Sequence, residues 1–132
     1  MIDSIFIKNN AINISNVSRE TLKDLDDYGN SIILKNKDIN LISASTEKSI
    51  NLRHILDSAQ TIDFIDNIEV NTCTDLGSGA GLPGIVLAIL MKHKKPKFKV
   101  IIYEKSYHKC KFLVDMSKKF NLNTKVYQKN IF

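Results

Sequence analysis

The sequence has no tryptophan, only two cysteines and two prolines, and five glycines in 132 residues. No apolar run approaches the roughly 20 residues that a membrane-spanning helix needs. The N-terminus lacks the basic flank, apolar core and small-residue cleavage site of a signal peptide, so a cytoplasmic protein is expected. Cys73 and Cys110 lie far apart, with neither C-x-x-C spacing nor a histidine partner pattern. They read as free buried thiols, and no metal site is expected. There is no internal repeat, no low-complexity segment and no basic motif interleaved with aromatics. The length suits a single modest core.

Acidic residues are scarce in one half of the chain. Residues 1–75 carry seven Lys/Arg against twelve Asp/Glu, whereas residues 76–132 carry twelve against two, Glu104 and Asp115. A basic half of that size suits a polyanion such as RNA. The bland reading is compositional. Seventeen of the nineteen basic residues are lysine, and Ile and Asn are also abundant, as an AT-rich coding sequence would produce.

Against this background one run stands out, Asp75-Leu76-Gly77-Ser78-Gly79-Ala80-Gly81-Leu82-Pro83-Gly84. Glycines at this spacing clear Cβ atoms from a tight turn and let backbone approach a ligand. A helix opening there aims its free N–H groups at the same place. The segments around the run have readable periods. Ser18 is a plausible N-cap, and Leu22, Leu25, Tyr28 and Ile32 mark a helix over about 19–35. Residues 1–17 form an arm of weak pattern. Asn40-Leu41-Ile42-Ser43 is a short connector, and Thr46 is the next cap candidate. Leu52, Ile55, Leu56, Ala59 and Ile62 predict a helix over about 47–65. Arg53 and Asp57 on it stand at i, i+4 and read as an ordinary surface ion pair.

After that the period changes. Asn71–Leu76 reads as a strand, Pro83 suits a first helical turn, and Ile85–Met91 is apolar nearly all round, hence buried. Lys92–Lys99 reads as a basic turn, Val100–Tyr103 as a buried strand ending at Glu104, and Cys110–Phe120 as a helix face. Thr124–Tyr127 looks like a third strand. The alternation predicts an α/β fold with a parallel sheet and right-handed crossovers. The expected division is a helical segment over residues 1–66 and a partial Rossmann-like domain over residues 67–132.

Three ligand classes compete for the glycine turn. A dinucleotide site needs G-x-G-x-x-G, and Leu82 stands where its third glycine should be. A P-loop needs Gly-Lys-Ser/Thr, which is absent. The remaining pattern, acid-x-Gly-x-Gly-x-Gly, is the one class I S-adenosylmethionine enzymes resemble, and Asp75, Gly77, Gly79 and Gly81 meet it in every position. Glu104, ending the next strand, fits an acid that holds two vicinal ribose hydroxyls.

These residues carry a family resemblance. Asp75–Ile85, with Leu52-Arg53-His54-Ile55-Leu56-Asp57-Ser58 before it, closely resembles the bacterial GidB/RsmG family. Asn40–Ser43 is similar to that family's Asn-Leu-Thr-Ser segment, and Lys109-Cys110-Lys111-Phe112-Leu113 to its basic-x-x-Phe-Leu segment. The resemblance implies helices followed by the first β-α-β-α-β half of a Rossmann-like class I methyltransferase sheet. It implies an S-adenosyl-L-methionine-dependent 16S rRNA methyltransferase that modifies guanine N7 in the 530 loop (guanosine 527). Cofactor-binding residues would be Asp75, Gly77, Gly79, Gly81, Leu82 and Glu104. Arg53, His54, Asp57 and Lys109 become candidates for the glycine loop or an RNA-facing cleft. The partner would be 16S rRNA in the small ribosomal subunit, with the protein a monomer if intact.

Guanine N7 already bears a lone pair in the major groove, so the implied chemistry needs no general base. Proximity and orientation would dominate. The family pattern continues beyond this sequence with further strands on the far side of the first, a Ser-Arg-Ala segment and a Leu-Lys-Gly segment. From that departure, the first strand is expected to lie at an edge with an uncovered apolar face. Marginal stability and weak or no S-adenosylmethionine binding are expected of the chain alone. The alternatives are an inactive remnant that still binds RNA, or a methyltransferase for a non-RNA substrate.

Overall fold

A computed structural model describes residues 17–50, 55–59, 70–77 and 79–130. The N-terminal arm, Arg53, His54 and the end of the helix expected near residue 65 lie outside the described residues. The elements run α1 (Arg19–Lys35), α2 (Ala44–Ser49), α3 (Ile55–Ala59), β1 (Thr72–Leu76), α4 (Gly84–Lys94), β2 (Lys99–Glu104), α5 (Tyr107–Lys119) and β3 (Thr124–Gln128).

α1 begins where its cap dictates. The Ser18 hydroxyl accepts from Thr21 N–H at 3.1 Å, satisfying one of the helix's orphan donors. Its buried stripe is Leu25, Tyr28 and Ile32. α2 begins earlier than the expected start near residue 47, because Ser43 and not Thr46 is the cap. Asn36 explains the shift. Its carbonyl accepts from Leu41 N–H at 2.9 Å and Ile42 N–H at 3.0 Å, and its amide donates to Glu47 at 2.7 Å. The connector is thereby folded back, which brings Ser43 to the helix start. The basic stretch after Met91 is also not all turn, since α4 continues to Lys94.

The three strands are parallel in the order β1-β2-β3, and a helix connects each to the next, as β-α-β alternation predicts. In register, Cys73 lies beside Val100, and Val100 beside Thr124. One sheet face, through Val100, Ile102 and Glu104, is buried. α4 and α5 both pack on this sheet, and α1 and α3 pack on α4. A single apolar cluster joins them, running from Leu25 and Ile32 through Ile85 and Ile89 to Ile102 and Leu113. α4 is buried from Gly84 to Met91, so its apolar circumference has partners all round. α5 ends at Lys119 with Phe120 as its C-cap; Asn121, with φ of 53°, then turns the chain, and Leu122 N–H closes onto Ser117 O at 2.8 Å.

The other sheet face is open. Leu76 is 53% exposed and Tyr127 38%, and the Tyr103 and Tyr127 rings stack at 5.3 Å. Among the described residues β1 has one strand neighbour, and none of its side chains is buried. Among the described residues β1 is therefore an edge strand, and its open face carries Thr72, Thr74 and Leu76, two threonines and one leucine in place of the expected apolar face. Of the two thiols, both free, Cys110 is buried but Cys73 is only half-buried, because its strand is this edge. Burial first, then the neighbouring Asp75 or Glu104 carboxylate, pushes each thiol above its ordinary range.

Candidate cofactor site

Parallel strands carry their ligands beyond their carboxyl ends. Here those ends are Leu76, Glu104 and Gln128, and the glycine turn follows the first. Gly77, Gly79 and Gly81 all have positive φ, at 71°, 58° and 99°. Side chains rarely adopt such backbone, and glycine does so freely. The turn is fixed at several points. Gly77 N–H donates to Tyr103 O at 2.8 Å, which extends the β1–β2 ladder by one rung. Ile85 N–H donates to Gly81 O at 2.7 Å, which starts α4. Pro83 occupies the N-cap position of α4, one residue before the first turn.

The two carboxylates divide the remaining work. Asp75 Oδ2 accepts from Gly84 N–H at 3.0 Å, so it caps the first residue of α4 with a negative charge at the helix's positive end. Glu104 is only 6% exposed. Its Oε1 accepts from Gly79 N–H at 3.1 Å and its Oε2 from Ser106 N–H at 2.8 Å. Glu104 thus ties the glycine turn to the turn that opens α5. An ionised carboxylate has about four acceptor positions, so two remain for further donors.

A cavity of about 400 Å³ opens at these strand ends. Glu104, Gly77 and Tyr103 line it together with Lys105, Lys109 and Lys129. Lys109, expected on the RNA side, therefore shares a cavity with the proposed ribose acid. Asp57 is exposed on α3 and does not line this cavity. Leu82 is half-buried against the core cluster. Ser106, Lys105 and the residues after β3 escaped the motif-based reading. The signal for them was positional, since all follow the ends of β2 and β3.

The glycines differ in what surrounds them. A Cβ at Gly79 would meet no atom within 4 Å, so this part of the turn faces open space. A Cβ at Gly81 would stand 2.5 Å from Ile85 Cγ1 and 2.7 Å from Tyr28 Oη. At Gly84 it would stand 2.6 Å from Asp75 Oδ2. Gly81 and Gly84 are needed for packing, whereas Gly79 has open space beside it. Chemically, the site can accept hydroxyl donors at a buried carboxylate and take negative charge at its lysine rim. Among the described residues, no group of three His, Cys, Asp or Glu side chains could hold a metal ion.

Helices on a parallel β1-β2-β3 sheet, with a glycine turn after β1 and an acid ending β2, define a partial Rossmann-like methyltransferase fold. The family model described as "rRNA small subunit methyltransferase G" matches residues 21–131, and the chain belongs to this family, GidB. It is 48% identical over 119 residues to the Ribosomal RNA small subunit methyltransferase G of Pelagibacter ubique, covering 89% of this chain and 55% of that protein. It is 43% identical over 112 residues to the protein of that name from Cereibacter sphaeroides, covering 85% of this chain and 53% of that one. Against the protein of that name from Bartonella henselae the identity is 45% over 114 residues, covering 86% and 52%. The chain spans about half the length of the curated relatives it matches.

Proposed function

We propose that this chain supplies the ribose-and-methionine side of an S-adenosylmethionine-dependent methyltransferase acting on guanine N7 in the 530 loop of 16S rRNA, at guanosine 527. One observation carries the cofactor reading. The open-space glycine, Gly79, is hydrogen-bonded to a buried acid that keeps acceptor capacity toward a cavity. A phosphate would be repelled by Glu104, whereas two vicinal hydroxyls match its free acceptor positions. The cofactor, when bound, supplies an electrophilic methyl group on a sulfonium.

The residues of this chain bind and orient. Glu104 holds the ribose, and Gly77 and Gly79 let backbone approach it. Asp75 holds the start of α4 and adds negative charge near the cationic end. The lysine rim of Lys105, Lys109 and Lys129 suits RNA phosphate, which positions a substrate and makes binding salt-dependent. No residue needs to remove a proton, since guanine N7 offers its lone pair directly. The family's name, rRNA small subunit methyltransferase G, supports the RNA substrate.

The test is a chimera of this chain with the unmatched part of the Pelagibacter ubique relative, assayed on small subunits that lack the mark. Methyl incorporation at guanosine 527, lost in the Glu104→Gln chimera, is expected. A folded chimera that binds S-adenosylmethionine but methylates another base would refute the substrate reading.

A further inference from the structure

Tyr28 lies on the buried stripe of α1 between Leu25 and Ile32, 52 residues before Ala80 of the glycine turn. It is 0% exposed, and its hydroxyl donates to the Ala80 carbonyl. A phenol at that depth requires an acceptor, and a buried carbonyl requires a donor. The same hydroxyl fills the space that a side chain at residue 81 would need, 2.7 Å from an ideal Cβ there. Tyr28 therefore meets the turn twice, as donor to Ala80 and as a steric wall behind Gly81.

The consequence is directional. The Ala80–Gly81 peptide is trans, so its carbonyl and its N–H point in opposite directions. With the carbonyl drawn inward to Tyr28, the Gly81 N–H is turned away from α1. On one side of this peptide, Gly79 N–H is held by Glu104 at 3.1 Å. On the other, Gly81 O accepts from Ile85 N–H at 2.7 Å. Two peptides lie between these anchors, Gly79–Ala80 and Ala80–Gly81; rotation of the second would re-aim the turn, and Tyr28 grips it. Burial first, then the Asp75 carboxylate, pushes the phenol well above its ordinary range, so it stays a proton donor.

We propose that Tyr28 is a positioning residue, whose hydroxyl fixes the Ala80–Gly81 peptide so that the turn presents its amides to the cofactor. This rests on the cofactor reading above. The variant is Tyr28→Phe in the 132-residue chain, with Ile32→Val on the same buried stripe as a packing control. Two quantities are read, amide hydrogen exchange across residues 79–85 and amide shifts during S-adenosylmethionine titration. Tyr28→Phe is expected to speed exchange at Gly79 and Gly81 by about tenfold beyond its effect on Val100 and Ile102 in β2. It is also expected to weaken the cofactor response by about tenfold. Ile32→Val should shift all amides together. Exchange that rises only in step with global stability, as in the control, overturns the proposal, and so does unchanged cofactor affinity. Where the wild-type chain alone gives no response to S-adenosylmethionine, the cofactor arm is read in the chimera described above. There a selectively loosened turn with unchanged affinity of the Tyr28→Phe chimera overturns the proposal, and a folded wild-type chimera that ignores S-adenosylmethionine sinks the cofactor reading instead.

Discussion

Gly79 and Gly81 stand two residues apart in one turn and share positive φ, yet a side chain would meet opposite conditions at them. At Gly81 it would strike Ile85 and Tyr28, and at Gly79 it would meet nothing. The carboxylates sort the same way. Asp75 bonds Gly84 N–H at the packed side of the turn, while Glu104 bonds Gly79 N–H beside the cavity. The turn thus has a packed side and an open side, and the proposed cofactor site lies on the open one. The repeated glycine spacing conceals this division, because each glycine looks alike in sequence.

Substitutions on the packed side should cost stability, and those on the open side should cost binding. The largest effect belongs to Gly81→Val. Overpacking and left-handed backbone strain together should remove about 3 to 5 kcal/mol, read from urea denaturation, or prevent folding. Asp75→Ala follows, since it removes a charged acceptor from the first N–H of α4. A loss of about 1.5 to 3 kcal/mol is expected, and a loss below experimental error would place Asp75 on the ligand side.

Tyr28 gives the next effect through pH. Its phenol is raised by burial and then by Asp75. The stability it contributes is fully present below the unfolded tyrosine value, about 10, and falls as pH rises toward the folded value. Above pH 10 the wild type should lose up to about 1.4 kcal/mol per pH unit more than Tyr28→Phe. Parallel alkaline curves for the two proteins would contradict the buried hydroxyl. The smallest stability effect is expected of Gly79→Asp, about 1 to 2 kcal/mol for left-handed backbone, with no packing clash. The same variant should abolish the cofactor response, by placing a carboxylate in the ligand's space.

The open and packed sides were unequally legible in the sequence. The period of Leu22, Leu25, Tyr28 and Ile32 located α1, and Ser18 its start. The apolar run Ile85–Met91 announced a buried helix, and the strand-ending acid Glu104 a wall of the site. Spacing placed Tyr28 on a buried stripe but carried no sign of its hydroxyl reaching Ala80, because that contact depends on how α1 packs on α4. The start of α2 was missed for a similar reason. Ser43 and Thr46 are equally good caps by residue type, and the side-chain bonds of Asn36 decide between them. Of the lysine rim, Lys109 was named by the family resemblance, whereas Lys105 and Lys129 were legible only as charge, since the three meet through the strand order.

The most direct measurement is an S-adenosylmethionine titration at millimolar concentration, followed at assigned backbone amides of the wild type and of Glu104→Gln. Saturable shifts at Gly77, Gly79, Lys105 and Ser106, absent from the variant while its β2 amides keep their wild-type positions, are predicted. Shifts confined to other surfaces, or an undiminished response in Glu104→Gln, would contradict the assignment of the open side to the cofactor.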